Sequence, residues 1–394
     1  METQAIYRDI AKRCGGDVYI GVVGPVRTGK STFIKRFMET LVIPNITSEF
    51  ARERATDELP QSAAGRTIMT TEPKFIPEEA VKISLDDSAT LNVRMIDCVG
   101  YIVPSSLGYI ENEQPRMVVT PWFDKEIPFN LAAEIGTQKV INEHSTIGLV
   151  VTTDGSISDI PREEYEEAEQ RVVNELRQIN KPFVVLLNCT NPSAPAAVSL
   201  RASLEERYGV PVVAVNCLDL GEADIRVILS DVLFQFPVRE VAVSLPGWVT
   251  SLAPDHWLRT SLYDSIRQSA QDVERIGQLK SKITTLSECE YVSRVLVDNI
   301  DLGSGGASVS VDVKNDLFYR ILGEATGLEI PDESALMPCM VELAAVKREY
   351  DKVKCALDEV AATGYGIVMP SLEEPSLEEP EIVKQGGRYG VRLK

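Results

Sequence analysis

From residue 18 to about 236, short apolar runs alternate with longer segments whose apolar positions recur every three to four residues. "VYIGVVG" (18–24), "STIGLVVTTD" (145–154), "PFVVLLN" (182–188) and "VPVVAVN" (210–216) are apolar and rich in β-branched residues, as buried strands are, and "LNVRMID" (91–97) alternates. Between the later runs, "PREEYEEAEQRVVNELRQIN" (161–180) sets Tyr165, Ala168, Val172, Leu176 and Ile179 on one stripe, opposite an acidic face read as solvated. Strands alternating with helices predict a mostly parallel sheet covered on both sides, so residues 1–240 read as one α/β domain.

The pattern changes at "FPVREVAVSLPGWV" (236–249), where two prolines and a glycine surround an apolar run and predict a domain junction. A helical stretch over about 256–281 follows, then two strands within 290–313 joined by a Gly/Ser turn. A helix over 315–326 and a longer charged one within 334–364 complete a smaller α+β domain, 241–366. Pro338 is expected in the first turn of that last helix, or at a break in it. Residues 367–394 begin with the acidic repeat "PSLEEPSLEEP" (370–380), which reads as a flexible linker. The final "RYGVRLK" has a strand-like pattern and no closing element, and reads as the start of a truncated C-terminal region.

Composition narrows the function. A chain of 394 residues is long enough for two or three domains, and 44% apolar with 25% charged residues is an ordinary globular balance. A formal net charge of −19 opposes non-specific binding to nucleic acid or to an anionic membrane. No apolar stretch approaches the ~18 residues of a spanning helix, and "METQAIYRDIAKRCGG" holds no signal region, so a cytoplasmic protein is expected. Seven cysteines without a C-x-x-C pair, with two histidines, suit neither a zinc site nor a disulfide framework, and reduced thiols are expected.

The chemistry is carried by "GVVGPVRTGKST" (21–32). Gly24, Pro25, Val26, Arg27, Thr28, Gly29, Lys30 and Ser31 fit G-x-x-x-x-G-K-[ST], between an apolar strand and a helix that Thr32 continues. Glycines let successive N–H groups turn toward phosphate oxygens, Lys30 supplies a point charge at the β- and γ-phosphates, and the Ser31 hydroxyl suits Mg2+. At the end of the 91–97 strand, Asp97-Cys98-Val99-Gly100 forms D-x-x-G. Its carboxylate suits Mg2+, and Gly100 allows a backbone N–H close to the γ-phosphate. Between the two motifs, "ELPQSAAGRTIMTTEPKFIP" (58–77) occupies the place of a mobile switch. Thr70 and Thr71 are adjacent, so only one can face a metal; Thr71 is the candidate ligand and Thr70 its neighbour.

Base choice is read after the 182–188 strand. GTPases carry N-K-x-D there, whereas this chain has Asn188-Cys189-Thr190-Asn191. Loss of the charged acceptor costs roughly 1.5–3 kcal/mol of guanine preference, which points to ATP. Tyr101 follows D-x-x-G where many GTPases place a water-orienting glutamine, so intrinsic hydrolysis is expected to be slow. Arg27, Arg52, Arg54 and Arg66 are the cations near enough in sequence to stabilise transition-state charge.

These motifs, with "DELPQSAAGRTIMTTEPKF", "DCVGY", "EIGTQKVINEHSTIGLVVTTDGSI", "PDHWLR" and "EPEIVKQGGRYGVRLK", resemble the stage IV sporulation protein A family of spore-coat morphogenetic ATPases along essentially the whole chain. The resemblance implies a translation-factor-related P-loop NTPase that uses ATP with Mg2+ to reach a conformation competent to polymerise. It implies a basement layer for coat assembly over the forespore outer membrane, in the mother cell. Partners so implied are further copies of the chain, other spore coat proteins and a small amphipathic membrane peptide, bound by a C-terminal region of about another hundred residues. By the same resemblance Lys30 binds phosphate, Ser31 and Asp97 organise Mg2+, and Thr70 and Thr71 couple the γ-phosphate to the conformational change. A soluble GTPase-like regulatory switch, and a structural protein that binds nucleotide without turning it over, are the competing readings.

Overall fold

The computed structural model describes residues 3–60, 73–85, 89–111, 114–271, 273–368, 381–386 and 388–392. The chain divides into two compact units, residues 1–312 and 313–394.

The first unit is built on a six-stranded sheet. Its strands are β1 (Asp17–Val23), β2 (Lys74–Leu85), β3 (Ala89–Asp97), β4 (Ile147–Thr153), β5 (Phe183–Asn188) and β6 (Val212–Val215), in the order β6-β5-β4-β1-β3-β2. All neighbours run parallel except the edge strand β2, which pairs antiparallel with β3. The mostly parallel α/β sheet expected from the sequence is therefore present. Successive side chains of a strand face opposite sides, and the core divides accordingly. Val184 and Leu186 of β5 pack with helices Thr3–Arg13, Lys30–Phe37 and Glu222–Phe234. Phe183, Val185 and Leu187 pack with helices Phe129–Lys139, Glu166–Gln178 and Pro195–Tyr208.

Register decides where chemistry can occur. Val22 pairs with Asp97, Thr153 with Asn188 and Asn188 with Val215, so the β1, β3, β4, β5 and β6 ends lie along one edge. That carboxyl edge is where open α/β sheets bind ligands, because every loop leaving it is free to vary.

Three elements differ from the pattern-based expectation. Helix Glu166–Gln178 buries Glu169 completely, while Ile179, expected on the core stripe, caps the helix and is exposed. The expected helix over 256–281 is two helices, Trp257–Gln271 and Ile276–Thr284. The break persists because Val238 donates to Glu274 O and Ile276 to Phe236 O, backbone bonds that a continuous helix would forfeit. The N-terminal helix Thr3–Arg13, for which no pattern was read, buries Ile6, Tyr7 and Ile10, and Arg13 donates to Pro237 O at 2.6 Å. A second sheet holds β7 (Glu240–Ser244), β8 (Val292–Asp301) and β9 (Gly306–Val313), with β9 central and parallel to β7.

The second unit holds helix Asn315–Thr326, the 31-residue helix Glu333–Thr363 and a hairpin of Glu381–Gln385 with Arg388–Arg392. Pro338 neither opens nor breaks the long helix but lies inside it. The Asp332 side chain caps the first turn by accepting from Ala335 N at 3.0 Å, which offsets part of what the proline removes. Most of the expected linker, 370–380, lies outside the described residues.

Candidate functional site

The loop between β1 and helix Lys30–Phe37 lies at the carboxyl edge of the sheet, beside the end of β3. Gly29, the N-cap, has φ 91° and ψ 18°, and a Cβ there would lie 2.2 Å from Asn188 Nδ2. Gly100 has φ +91°, and a Cβ there would lie 2.2 Å from Gly24 O and 2.6 Å from Lys30 Nζ. Only glycine satisfies both the left-handed backbone and the close approach. Arg27 also has a positive φ, 63°, in the middle of the loop. A non-glycine residue held there is strained backbone, which tends to mark a working loop.

Lys30 Nζ is buried and donates to Pro25 O at 2.6 Å and Gly24 O at 3.4 Å, curling over the loop. Burial lowers its pKa. Ser31 Oγ donates to Asp97 Oδ2 at 2.6 Å. Burial raises the Asp97 pKa, opposed by the Ser31 hydrogen bond and the Lys30 and Lys74 charges. The other carboxylate oxygen, Asp97 Oδ1, is buried and has no hydrogen-bond partner among the described residues. Orphaned buried carboxylate oxygens are costly unless something positive meets them. A carboxylate and a hydroxyl side by side, with one oxygen left over, is a donor set for Mg2+. The residues present therefore fit the ion.

The D-x-x-G segment is stitched to the loop: Tyr101 N donates to Gly24 O at 3.3 Å and Val26 N to Tyr101 O at 2.9 Å. Tyr101 itself points away into the helical layer. Its hydroxyl bonds Glu175 Oε2 at 2.5 Å, and the Arg171 guanidinium lies 4.5 Å from its ring centre. It is a packing residue with its polar tip satisfied, so no side chain at this position is aimed at the phosphates. Thr28 Oγ1 donates within the loop to Pro25 O at 3.0 Å.

Asn188 is buried and bridges two loops. Its Nδ2 donates to Thr28 O at 3.0 Å, and its Oδ1 accepts from Cys217 N at 3.1 Å. Thr190 and Asn191 are exposed beyond it, with Thr190 N donating to Ser156 Oγ at 3.0 Å. Ser156, Asn216 and Cys217 were not singled out from sequence. The signal is an echo: β5 and β6 both run into Asn-Cys at their carboxyl ends, at 188–189 and 216–217. Arg52 donates to Ile46 O at 2.8 Å and Arg54 to Glu79 at 2.9 Å, both on helix Glu49–Asp57. Thr70, Thr71 and Arg66 lie outside the described residues. Thr32 follows Ser31 on the helix, partly buried.

A family model described as the ATPase domain of Stage IV sporulation protein A matches residues 1–237, and one described as the middle domain of the same protein matches residues 238–394. The chain belongs to the Stage IV sporulation protein A family. It is 50% identical over 394 residues to Stage IV sporulation protein A of Bacillus anthracis and 49% over 394 residues to that of Bacillus subtilis strain 168, covering 80% of each. It is 49% identical over 389 residues to that of Clostridioides difficile strain 630, covering 79% of it. The sheet and its carboxyl-edge loops thus fall within the family's ATPase domain, for which nucleotide binding follows. The second sheet and the long helix fall within the middle domain. No helix among the described residues is long and apolar enough to cross a membrane.

Proposed function

We propose that the chain hydrolyses ATP slowly, with Mg2+, and that hydrolysis switches it into a form that polymerises as the basement layer of the spore coat at the forespore outer membrane, on the mother-cell side. The observation that carries the site is Asp97: one oxygen holds Ser31 Oγ at 2.6 Å, the other is buried without a donor among the described residues, and Lys30 lies alongside. In this reading Lys30 exchanges its loop carbonyls for phosphate oxygens, and the backbone of residues 24–32 cradles the phosphates. Ser31, Thr71 and Asp97 hold Mg2+, whose chemistry is to neutralise charge developing on the phosphates. Gly100 brings its N–H to the γ-phosphate, and Thr70 and Thr71 carry its loss into the switch. Asn188 orders Thr28 and the 216–220 loop around the base, and the neutral amide of Asn191 removes the guanine reader, which supports ATP. The coat proteins and an amphipathic membrane peptide are the further partners proposed.

Phosphate release from ATP and GTP, measured side by side over a range of protein concentrations, tests this. ATP should be the better substrate, with Lys30→Ala and Asp97→Ala at background. Thr70→Ala with Thr71→Ala should still bind ATP and fail to sediment as polymer. Faster GTP turnover would overturn the base assignment, and equal release from wild type and Lys30→Ala would leave a protein that only binds.

A further inference from the structure

The 31-residue helix Glu333–Thr363 buries one residue, Ala356. A helix that long, so little supported by its own fold, draws its stability from something packed along it. Past Pro338 one seam of residues is spaced alternately four and three: Cys339, Leu343, Val346, Tyr350, Val353, Leu357 and Val360, with the exposed Met340 and Val341 beside its start. Val346 is 58%, Leu357 50% and Tyr350 49% exposed. The seam runs three heptads and stops where Gly366 comes back against Ala356 and Val360.

We propose that this seam is a coiled-coil interface between copies of this chain, with the helices parallel and in register. The charges beside the seam decide the occupant. In heptad terms Leu343, Tyr350 and Leu357 are at a, and the alternate seam residues are at d. The flanking g positions are then Glu342 and Glu349, and the e positions Lys347 and Lys354. In a parallel pair each g residue meets the partner's e residue five positions on, so Glu342 faces the partner's Lys347 and Glu349 the partner's Lys354. Antiparallel packing would set Glu against Glu and Lys against Lys. In the single chain Lys347 bonds Asp351 at 2.9 Å and Glu349 lies 3.2 Å from Lys352, exposed pairs within one helix that carry little. Leucine at a with β-branched valine at d favours more than two strands, which suits an assembly that grows.

The inference rests on the self-assembly proposed above, and its test separates the two. Cys339 lies at d on the seam, and Cys355 at f on the opposite side, so a parallel bundle brings two Cys339 thiols together and keeps Cys355 apart. Mild oxidation of the full chain without nucleotide should give a Cys339–Cys339 dimer that Cys339→Ser abolishes and Cys355→Ser leaves intact. Lys347→Glu with Lys354→Glu, or Glu342→Lys with Glu349→Lys, should each weaken cross-linking at least about tenfold as the attractive contacts between neighbouring helices become repulsive. Mixing the two variants should restore it, which a folding defect could not do. No Cys339 dimer, a Cys339 bond within one chain, or charge reversals without effect would each overturn the interface while ATP-dependent sedimentation still stood. A Cys339 dimer in a protein that never sediments with ATP would uphold the interface and remove the polymer reading.

Discussion

Asn188 offers a quantitative test of how the nucleotide loop is held. Its side chain is 4% exposed and satisfies two backbone groups, Thr28 O at 3.0 Å and Cys217 N at 3.1 Å. Asn188→Ala strands both in a place where water has little access, and each stranded group costs about 1–3 kcal/mol, so a loss of roughly 2–6 kcal/mol is expected. For a domain of this size that lowers Tm by about 2–4 °C per kcal/mol. The KM for ATP should rise as well, because Thr28 loses its side-chain tether from β5. Asn188→Asp sharpens the point. A carboxylate can still accept from Cys217 N, but it presents oxygen to the Thr28 carbonyl and adds a buried charge, so at pH 7 it should be worse than alanine. Burial raises that carboxyl's folded pKa above its unfolded value of about 3.9. The penalty is therefore absent below pH ~4 and grows as pH rises to the folded pKa, and acidification should recover stability relative to wild type. Thermal unfolding by circular dichroism between pH 4.5 and 8, with KM at pH 7.5, reads both effects. An alanine variant within about 0.5 kcal/mol of wild type, the range of an ordinary surface change, would refute the bridge.

Tyr101→Gln should not accelerate hydrolysis, because the side chain leaves the site toward Glu175 and Arg171; a tenfold faster phosphate release would show that the position faces the phosphates after all. Glu169 accepts from both Arg162 Nη atoms, at 2.7 and 2.9 Å, and from Tyr208 OH at 2.6 Å while fully buried. Glu169→Ala should therefore cost about 3–5 kcal/mol in urea unfolding, and Arg162→Met with Glu169→Leu should cost less, the remainder coming from the buried Tyr208 and Thr152 hydroxyls that lose their partners; the reverse ranking would sink the argument. Burial pushes the Cys98 thiol up to about 11 and that of Cys217 to about 12, whereas Cys355 is exposed. At pH 8 a thiol reagent should modify Cys355 within seconds and leave Cys98 and Cys217 unmodified until denaturant is added.

What could be read from the chain follows from how locally each feature is encoded. The strands β1, β4, β5 and β6 announce themselves because both faces are covered, so most of their residues must be apolar. Asp97 is legible because one strand and one glycine fix its place. Glu169 is not: its helix turn looks acidic throughout, and its burial depends on Arg162, Thr152 and Tyr208, the last brought from another helix. Asn188 reads as the first residue of a base-binding motif, and its bridging role needs two loops that only the sheet brings together. Tyr101 reads as a missing glutamine, and its real environment is set by Glu175, seventy-four residues away. The break before Ile276 depends on backbone partners at 236–238, which no helical periodicity encodes.

Lys30 and Asp97 are both buried, and burial moves each toward its neutral form: the amine's pKa falls and the carboxyl's rises. Neither is well compensated by the other, since Lys30 bonds loop carbonyls and Asp97 keeps an unpaired oxygen. Phosphates beside the lysine and a cation beside the carboxylate remove both deficits together, so the domain should bind the two as a unit rather than either alone. A ligand that binds only the folded state at 100 times its Kd adds about 2.7 kcal/mol to stability. The stabilisation lies where Val26 pairs with Tyr101 and Thr28 with Asn188, at the junction of β1, β3 and β5. On the proposed reading, loss of the terminal phosphate would reduce the charge facing Lys30, and the same junction would loosen after hydrolysis. On that reading no fast turnover would be needed, because one event per chain would change the energy of the edge from which the site loops leave.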